Sequence, residues 1–167
     1  MYKSTVIYNV LQELGIRYTK KEHPTVFTIE EASQYQFGSM VATCKNLFLK
    51  NNLKNKYYLI VVMNSNRLDL VKIAKNLGEK RINLASEKDL FTYLGISRGS
   101  VSPLALINNQ QKDVVVIIDR KILTYEKVAF HPNINTATLI FSSADFAKFL
   151  HWTGNKIKFM NFDTMLE

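Results

Sequence analysis

The chain has 167 residues, 47% of them hydrophobic, which is enough to enclose one substantial core and too few to make two domains the expectation. It carries a net charge of +8 and one cysteine, so no internal disulfide can form, and its longest wholly apolar run, residues 57–63, is far too short to span a bilayer. No apolar leader with a small-residue cleavage site opens the chain, and the expected setting is the cytoplasm, with no membrane partner.

The first predicted helix starts at a Ser4 cap, places Ile7, Val10, Leu11 and Leu14 on one face and stops at Gly15. Residues 17–26 read as extended, since Pro24 discourages helix. Thr28 and Glu31 have capping-box spacing and predict a short second helix ending near Gly38. Residues 47–49 and 57–63 read as strands joined by the polar turn 51–55, the second apolar on both faces as a central strand would be. Helical spacing resumes over 69–77 before Gly78, residues 82–84 form a short strand, and Ser86 with Asp89 starts a helix running to about Leu94. Residues 104–107, 114–118, 128–130 and 136–141 read as strands, and Ser143 caps a last helix through Trp152. Strands and helices alternate irregularly, with hairpin-length links late in the chain. The predicted fold is α/β of the α+β kind, one domain over 1–167 with a mixed, largely antiparallel sheet flanked by helices.

The charge is concentrated. Residues 1–44 balance, residues 45–81 carry +7, and residues 82–167 add +1. Clustered Lys and Arg attract phosphates and release counterions on binding, which points to a polyanion partner; a solvated face that only aids solubility has the same signature.

Familiar chemistry is scarce. His23, His131, His151 and Cys44 never fall at short ligand spacing, so no metal site is expected. Cys44 beside Lys45 suggests an activated thiolate, but no local histidine marks a partner, and a small buried residue fits as well. Ser100 and Ser102 lack the GxSxG elbow of a serine hydrolase. More informative is KNLFLK, 45–50. Strand alternation sets Lys45 on the same face as Leu47 and Leu49, with Asn46, Phe48 and Lys50 opposite, so Lys45 is either a clamp at the mouth of an apolar pocket or a strand-end lysine reaching water. The loop FHPNINT, 130–136, is a plain connection or a polar wall, and GSVSP, 99–103, puts small residues where backbone groups can approach a ligand.

In this order, HPTVFTIEEA, KNLFLK, YYLIVVM with RLDL, ASEKDL, GSVSPLALIN and FHPNINTATL resemble the YbaK/prolyl-tRNA synthetase editing-domain family. The likeness is to its free-standing deacylases, and the family's GxxxP motif is residues 99–103. The serine-valine version of that motif resembles the alanine-editing branch. The resemblance implies hydrolysis of the ester joining an amino acid, alanine above all, to the terminal adenosine of proline tRNA. By the same resemblance, Lys45 would hold the terminal phosphate or polarise the substrate, and Gly99 with its loop would position water and stabilise the oxyanion. His131 would line the amino-acid pocket and Asn46 would lie beside the substrate. Ser100, Val101, Ser102, Pro103, Asn133, Asn135 and Thr136 would complete the substrate site, with Phe27, Val101 and Leu104 as walls by position. Lys50, Lys80 and Arg81 are the candidates for acceptor-stem phosphates. No cofactor is implied, and the expected partners are tRNA and prolyl-tRNA synthetase. Serine, threonine or cysteine esters, a non-catalytic sensor of the same fold, and general nucleic-acid binding remain alternatives; RGG-type or aromatic-basic interleaving, the usual sign of the last, is missing.

Overall fold

A computed structural model describes residues 5–25, 37–64 and 67–167. The Ser4 cap, the helix from Thr28 and the proposed wall residue Phe27 lie outside the described residues. Helix α1 (Thr5–Glu13) buries Ile7 and Leu11, the spacing that predicted it, and Gly15 follows at φ +66°. Then come β1 (Tyr18–Glu22), β2 (Val41–Asn51), β3 (Tyr57–Met63), α2 (Leu70–Leu77), β4 (Ile82–Leu84) and α3 (Glu87–Leu94). A 3₁₀ helix (Pro103–Asn108), β5 (Val114–Asp119), a second 3₁₀ turn (Arg120–Thr124), β6 (Lys127–Phe130), β7 (Ala137–Ser142), α4 (Ser143–Thr153), β8 (Ile157–Met160) and a last 3₁₀ turn (Asp163–Met165) complete the order.

The eight strands run β1-β7-β6-β2-β3-β5-β8, with β4 added against β2. Four of the seven pairings are antiparallel; β2 with β6, β3 with β5 and β5 with β8 are parallel. β3 is central, as its unbroken apolar run predicts. Tyr57, Leu59 and Val61 enter the larger core, under α1, α3, α4 and the first 3₁₀ helix, while Tyr58, Ile60 and Val62 enter a second core under α2.

β2 organises the sheet. β3 takes one of its edges from Cys44 to Lys50, and the Asn64 N–H to Thr43 oxygen bond extends that contact. On the other edge β6 takes residues 41–43 and β4 takes 49–51. Neither β6 nor β4 pairs with the intervening residues 44–48.

Two tyrosines fasten the helices. Tyr57 donates to Asp89 Oδ1 at 3.0 Å on one face, and Tyr58 donates to Glu79 Oε1 at 2.7 Å on the other. Asp89 closes the predicted capping box with Ser86 and pairs with Lys50 at 2.7 Å, their side chains 16% and 18% exposed. Burial works to raise the Asp89 carboxyl, but the bonds from Lys50, Ser86 and Tyr57 outweigh it and hold the group far below the usual carboxylate range.

The structure corrects the sequence reading in four places. Residues 103–108 form a 3₁₀ helix instead of a strand: Ser102 Oγ accepts the Leu104 N–H at 3.2 Å, and Pro103 sits at the first helical position. An apolar run buried on every side looks the same in either conformation. β2 begins at Val41, six residues before the predicted start, because polar Thr43, Lys45 and Asn46 hide its alternation. The last helix is capped by Ser142, whose hydroxyl accepts the Asp145 N–H at 3.0 Å. β8 was not anticipated, an edge strand of only four residues that carries Lys158.

Asp89→Asn leaves Lys50 half-buried beside a neutral amide, and we expect it to cost about 2–3 kcal/mol at neutral pH in denaturant unfolding. Because the folded-state carboxyl is depressed, this stabilisation is present above about pH 4 and fades as pH falls through the folded value. The gap between wild type and variant should therefore narrow in acid.

Candidate active site

The site grows from the interrupted edge of β2. Lys45 follows Val41 and Thr43 on one sheet face, and Val41 packs there with Ala129 of β6 and Ile140 of β7. The parallel register ends at Thr43 beside Ala129. Lys45 and His131 each come two residues later on that face, where the two strands part. The alternation read from the sequence holds: Lys45 shares its side with Leu47 and Leu49, which pack into the second core, whereas Phe48 packs into the larger one.

His131 is fixed by what it donates to. Its Nδ1 lies 2.8 Å from the Ala137 carbonyl, which can only accept, so Nδ1 carries the proton and Nε2 is an acceptor. Burial pushes the His131 imidazole below its ordinary value and nearby His23 adds to this, while the Ala137 carbonyl works the other way. His23, at the end of β1, stands 5.8 Å away ring to ring, its Nε2 2.9 Å from Thr138 Oγ1 and its Nδ1 2.9 Å from the Pro24 oxygen. Sequence reasoning quoted His23 within HPTVFT without giving it a role.

Opposite the same stretch of β2 lies the glycine loop. Ser100 N–H bonds the Ser97 oxygen at 3.2 Å, and Gly99 takes φ +86°, a turn position that a Cβ would strain. Gly99 and Val101 are half-buried, Ser100 and Ser102 buried, and Pro103 begins the 3₁₀ helix. Asn46 reaches across the gap, its Nδ2 donating to the Val101 oxygen at 3.1 Å. The hydroxyl of Ser102 is committed to its cap, and Leu104 is wholly buried in the core.

The loop 130–136 supplies a further edge. Asn133 adopts φ +62°, and its Oδ1 is buried with no hydrogen-bond partner among the described residues. Asn135 is half-buried; Thr136 is exposed, and its carbonyl accepts the His23 N–H at 3.0 Å.

The three basic candidates separate. Lys50 is held by Asp89 in the ion pair above, away from solvent. Lys80 and Arg81 are exposed and line an open groove of about 230 Å³ with Leu70, Val71, Ala74, Ile82 and Asn83. That groove lies under α2, on the sheet side that carries Lys45. Burial first, then Asp119, pushes the Cys44 thiol far up, which disfavours the thiolate that a nucleophile needs. Asp119 is a residue that the sequence did not single out. Fully buried at the end of β5, it accepts the Lys121 N–H at 3.0 Å and caps the 3₁₀ turn; its signal was an Asp at a strand end before a helical turn.

Along this stretch of β2 the chain offers an ammonium and an imidazole on one face, with the 99–103 loop tied to the strand through Asn46. Such a set can hold an anion and polarise a carbonyl.

The sequence profile of the aminoacyl-tRNA editing domain matches residues 23–149. The Prolyl-tRNA editing protein ProX of Acetoanaerobium sticklandii is 35% identical over 148 residues, covering 89% of this chain and 90% of the relative. The Prolyl-tRNA synthetase associated domain-containing protein 1 of Bos taurus is 38% identical over 157 residues, covering 92% of this chain and 91% of the relative. A crystal structure provisionally assigned to a trans-editing enzyme for prolyl tRNA synthetase superposes with a TM-score of 0.68 at 20% identity, covering 96% of this chain and 98% of that one, which supports the fold. Because the matched stretch takes in β2, the glycine loop and His131 alike, the chain belongs to the aminoacyl-tRNA editing domain family.

Proposed function

We propose that the chain, acting as one editing domain, hydrolyses the ester of misacylated tRNA, with alanine on proline tRNA as its substrate. What supports this reading most is the Asn46 Nδ2 bond to the Val101 oxygen, which ties the 99–103 loop, with Gly99 at φ +86°, to β2 one residue from Lys45. The ProX relative, named for prolyl-tRNA editing, supports the reaction class.

In this reading water adds to the ester carbonyl, and N–H groups of the 99–103 loop stabilise the oxyanion. The carbon–oxygen bond to the ribose 3′-oxygen then breaks, that oxygen takes up a proton originating from water, and free amino acid and tRNA depart. Lys45 holds the terminal phosphate or polarises the ester. His131, neutral and donating to Ala137, offers Nε2 toward the amino-acid side, with Asn133, Asn135, Thr136, Ser100, Val101 and Phe27 around the substrate. Ser102 and Pro103 act through the loop they anchor. A pocket shaped for proline rejects smaller alanine by only about 1–3 kcal/mol per methylene, which is why a second, smaller sieve is useful. Lys80 and Arg81, exposed under α2, suit acceptor-stem phosphates, and prolyl-tRNA synthetase is the proposed docking partner; Lys50 is reserved for Asp89.

Proline tRNA charged in turn with alanine, proline, serine and cysteine separates the substrates. We expect rapid ester loss for alanine alone; binding without any ester loss would make the chain a sensor instead of an enzyme. Lys45→Ala should cut turnover of alanyl-tRNA by about a hundredfold or more with the melting temperature unchanged, the scale of a lost electrostatic clamp, and an unaltered rate would remove Lys45 from the mechanism. Arg81→Ala and Lys80→Ala should each raise KM for the full tRNA, lower the slope of log KM against log salt by about one, and leave a minimal alanyl-adenosine ester unaffected.

A further inference from the structure

One half of the Asn46 amide is accounted for and the other is not. Its Nδ2 donates to the Val101 carbonyl at 3.1 Å, and this fixes the amide's orientation, because the flipped form would set two oxygens against each other. Oδ1 therefore faces away from the Val101 oxygen, buried, and it has no hydrogen-bond partner among the described residues. Native interiors leave few buried acceptors in that condition, since each one destabilises the fold. Tyr8 Oη, Asn133 Oδ1 and Asn155 Oδ1 share it, but only Asn46 stands on the interrupted edge of β2 itself.

Resting on the deacylase reading, we propose that Asn46 has two separable roles: Nδ2 holds the 99–103 loop against β2, and Oδ1 accepts a hydrogen bond from the α-ammonium of the aminoacyl ester. The acceptor is enclosed, so the part of the substrate that reaches it is the part inserted deepest, which is the aminoacyl end. An α-ammonium offers three N–H donors and no acceptor, the complement of a lone carbonyl oxygen, and its charge strengthens the bond. Lys45 and Asn46 are neighbours in sequence but project from opposite faces of β2, so the Lys45 ammonium does not compete for the Asn46 oxygen.

Two esters on proline tRNA test this: alanyl, and propionyl, which has a hydrogen in place of the ammonium. Each rate is divided by that ester's uncatalysed hydrolysis. Wild type should prefer the alanyl ester by about tenfold or more, the scale of one charge-assisted bond. Asn46→Asp retains an oxygen acceptor and loses the donor, so it should slow both esters and keep the preference. Asn46→Ala loses both groups and should bring the preference to within about twofold of unity, the thermodynamic-cycle signature of a direct contact. Tryptic cleavage after exposed Arg98 should accelerate in both variants as the loop comes loose. An Asn46→Ala protein that keeps the wild-type preference, or an Asn46→Asp protein that loses it, overturns the assignment while leaving the deacylase reading intact. Wild-type protein that hydrolyses neither ester overturns both. Should a variant fail to fold, inhibition of the wild type by 3′-alanylamino-3′-deoxyadenosine and by its propionylamino counterpart decides the matter, and equal inhibition overturns the proposal.

Discussion

A β-strand has two edges of peptide groups to satisfy, and everything in this molecule follows from how β2 satisfies one of its edges. β6 takes residues 41–43 and β4 takes 49–51, and neither pairs with the five residues between them, where Asn46 meets the loop at Val101. Asn46 bridges to the Val101 carbonyl across the same gap, so the feature that leaves the sheet incomplete also positions the glycine loop. The parting of β2 from β6 likewise brings Lys45 and His131 to equivalent places on one face. A continuous ladder would be more regular, but it would leave no place for the Val101 loop beside Asn46.

The helices are tied to this frame by a pair of adjacent residues with opposite directions. Tyr57 and Tyr58 point to the two faces of β3, and each hydroxyl finds a carboxylate at a helix end, Asp89 at the start of α3 and Glu79 just beyond α2. Lys50 and Lys56 neutralise those carboxylates. Part of the positive charge of the central segment is thus spent inside the fold. Lys80 and Arg81, by contrast, face solvent on the groove below α2. The concentration of charge seen in the sequence has two causes, and only the coordinates separate structural lysines from those that a phosphate can reach.

What was legible in the sequence was local. The Gly78 stop of α2, the Ser86–Asp89 box of α3 and the seven residues of β3 involve neighbours in the chain or an unbroken apolar run, and they occur where the pattern puts them. Residues 104–107 read as a strand because burial on all sides erases periodicity, and the signal that separates the two conformations is Ser102 before Pro103. At the site, alternation correctly separated Lys45 from Asn46. The contacts of Asn46 with Val101 and of Tyr57 with Asp89 span 55 and 32 residues, and no spacing rule reaches that far. Lys50 lost its proposed role for the same reason, since its partner lies 39 residues away.

Cys44, next to Lys45, is held by burial and by the field of Asp119 in its protonated state. Sulfur oxidation proceeds through the thiolate, and so does capture by electrophiles. With the chain's one thiol kept out of its reactive form, oxidation falls instead to methionine sulfur, and half-exposed Met40, next to the start of β2, is open to it.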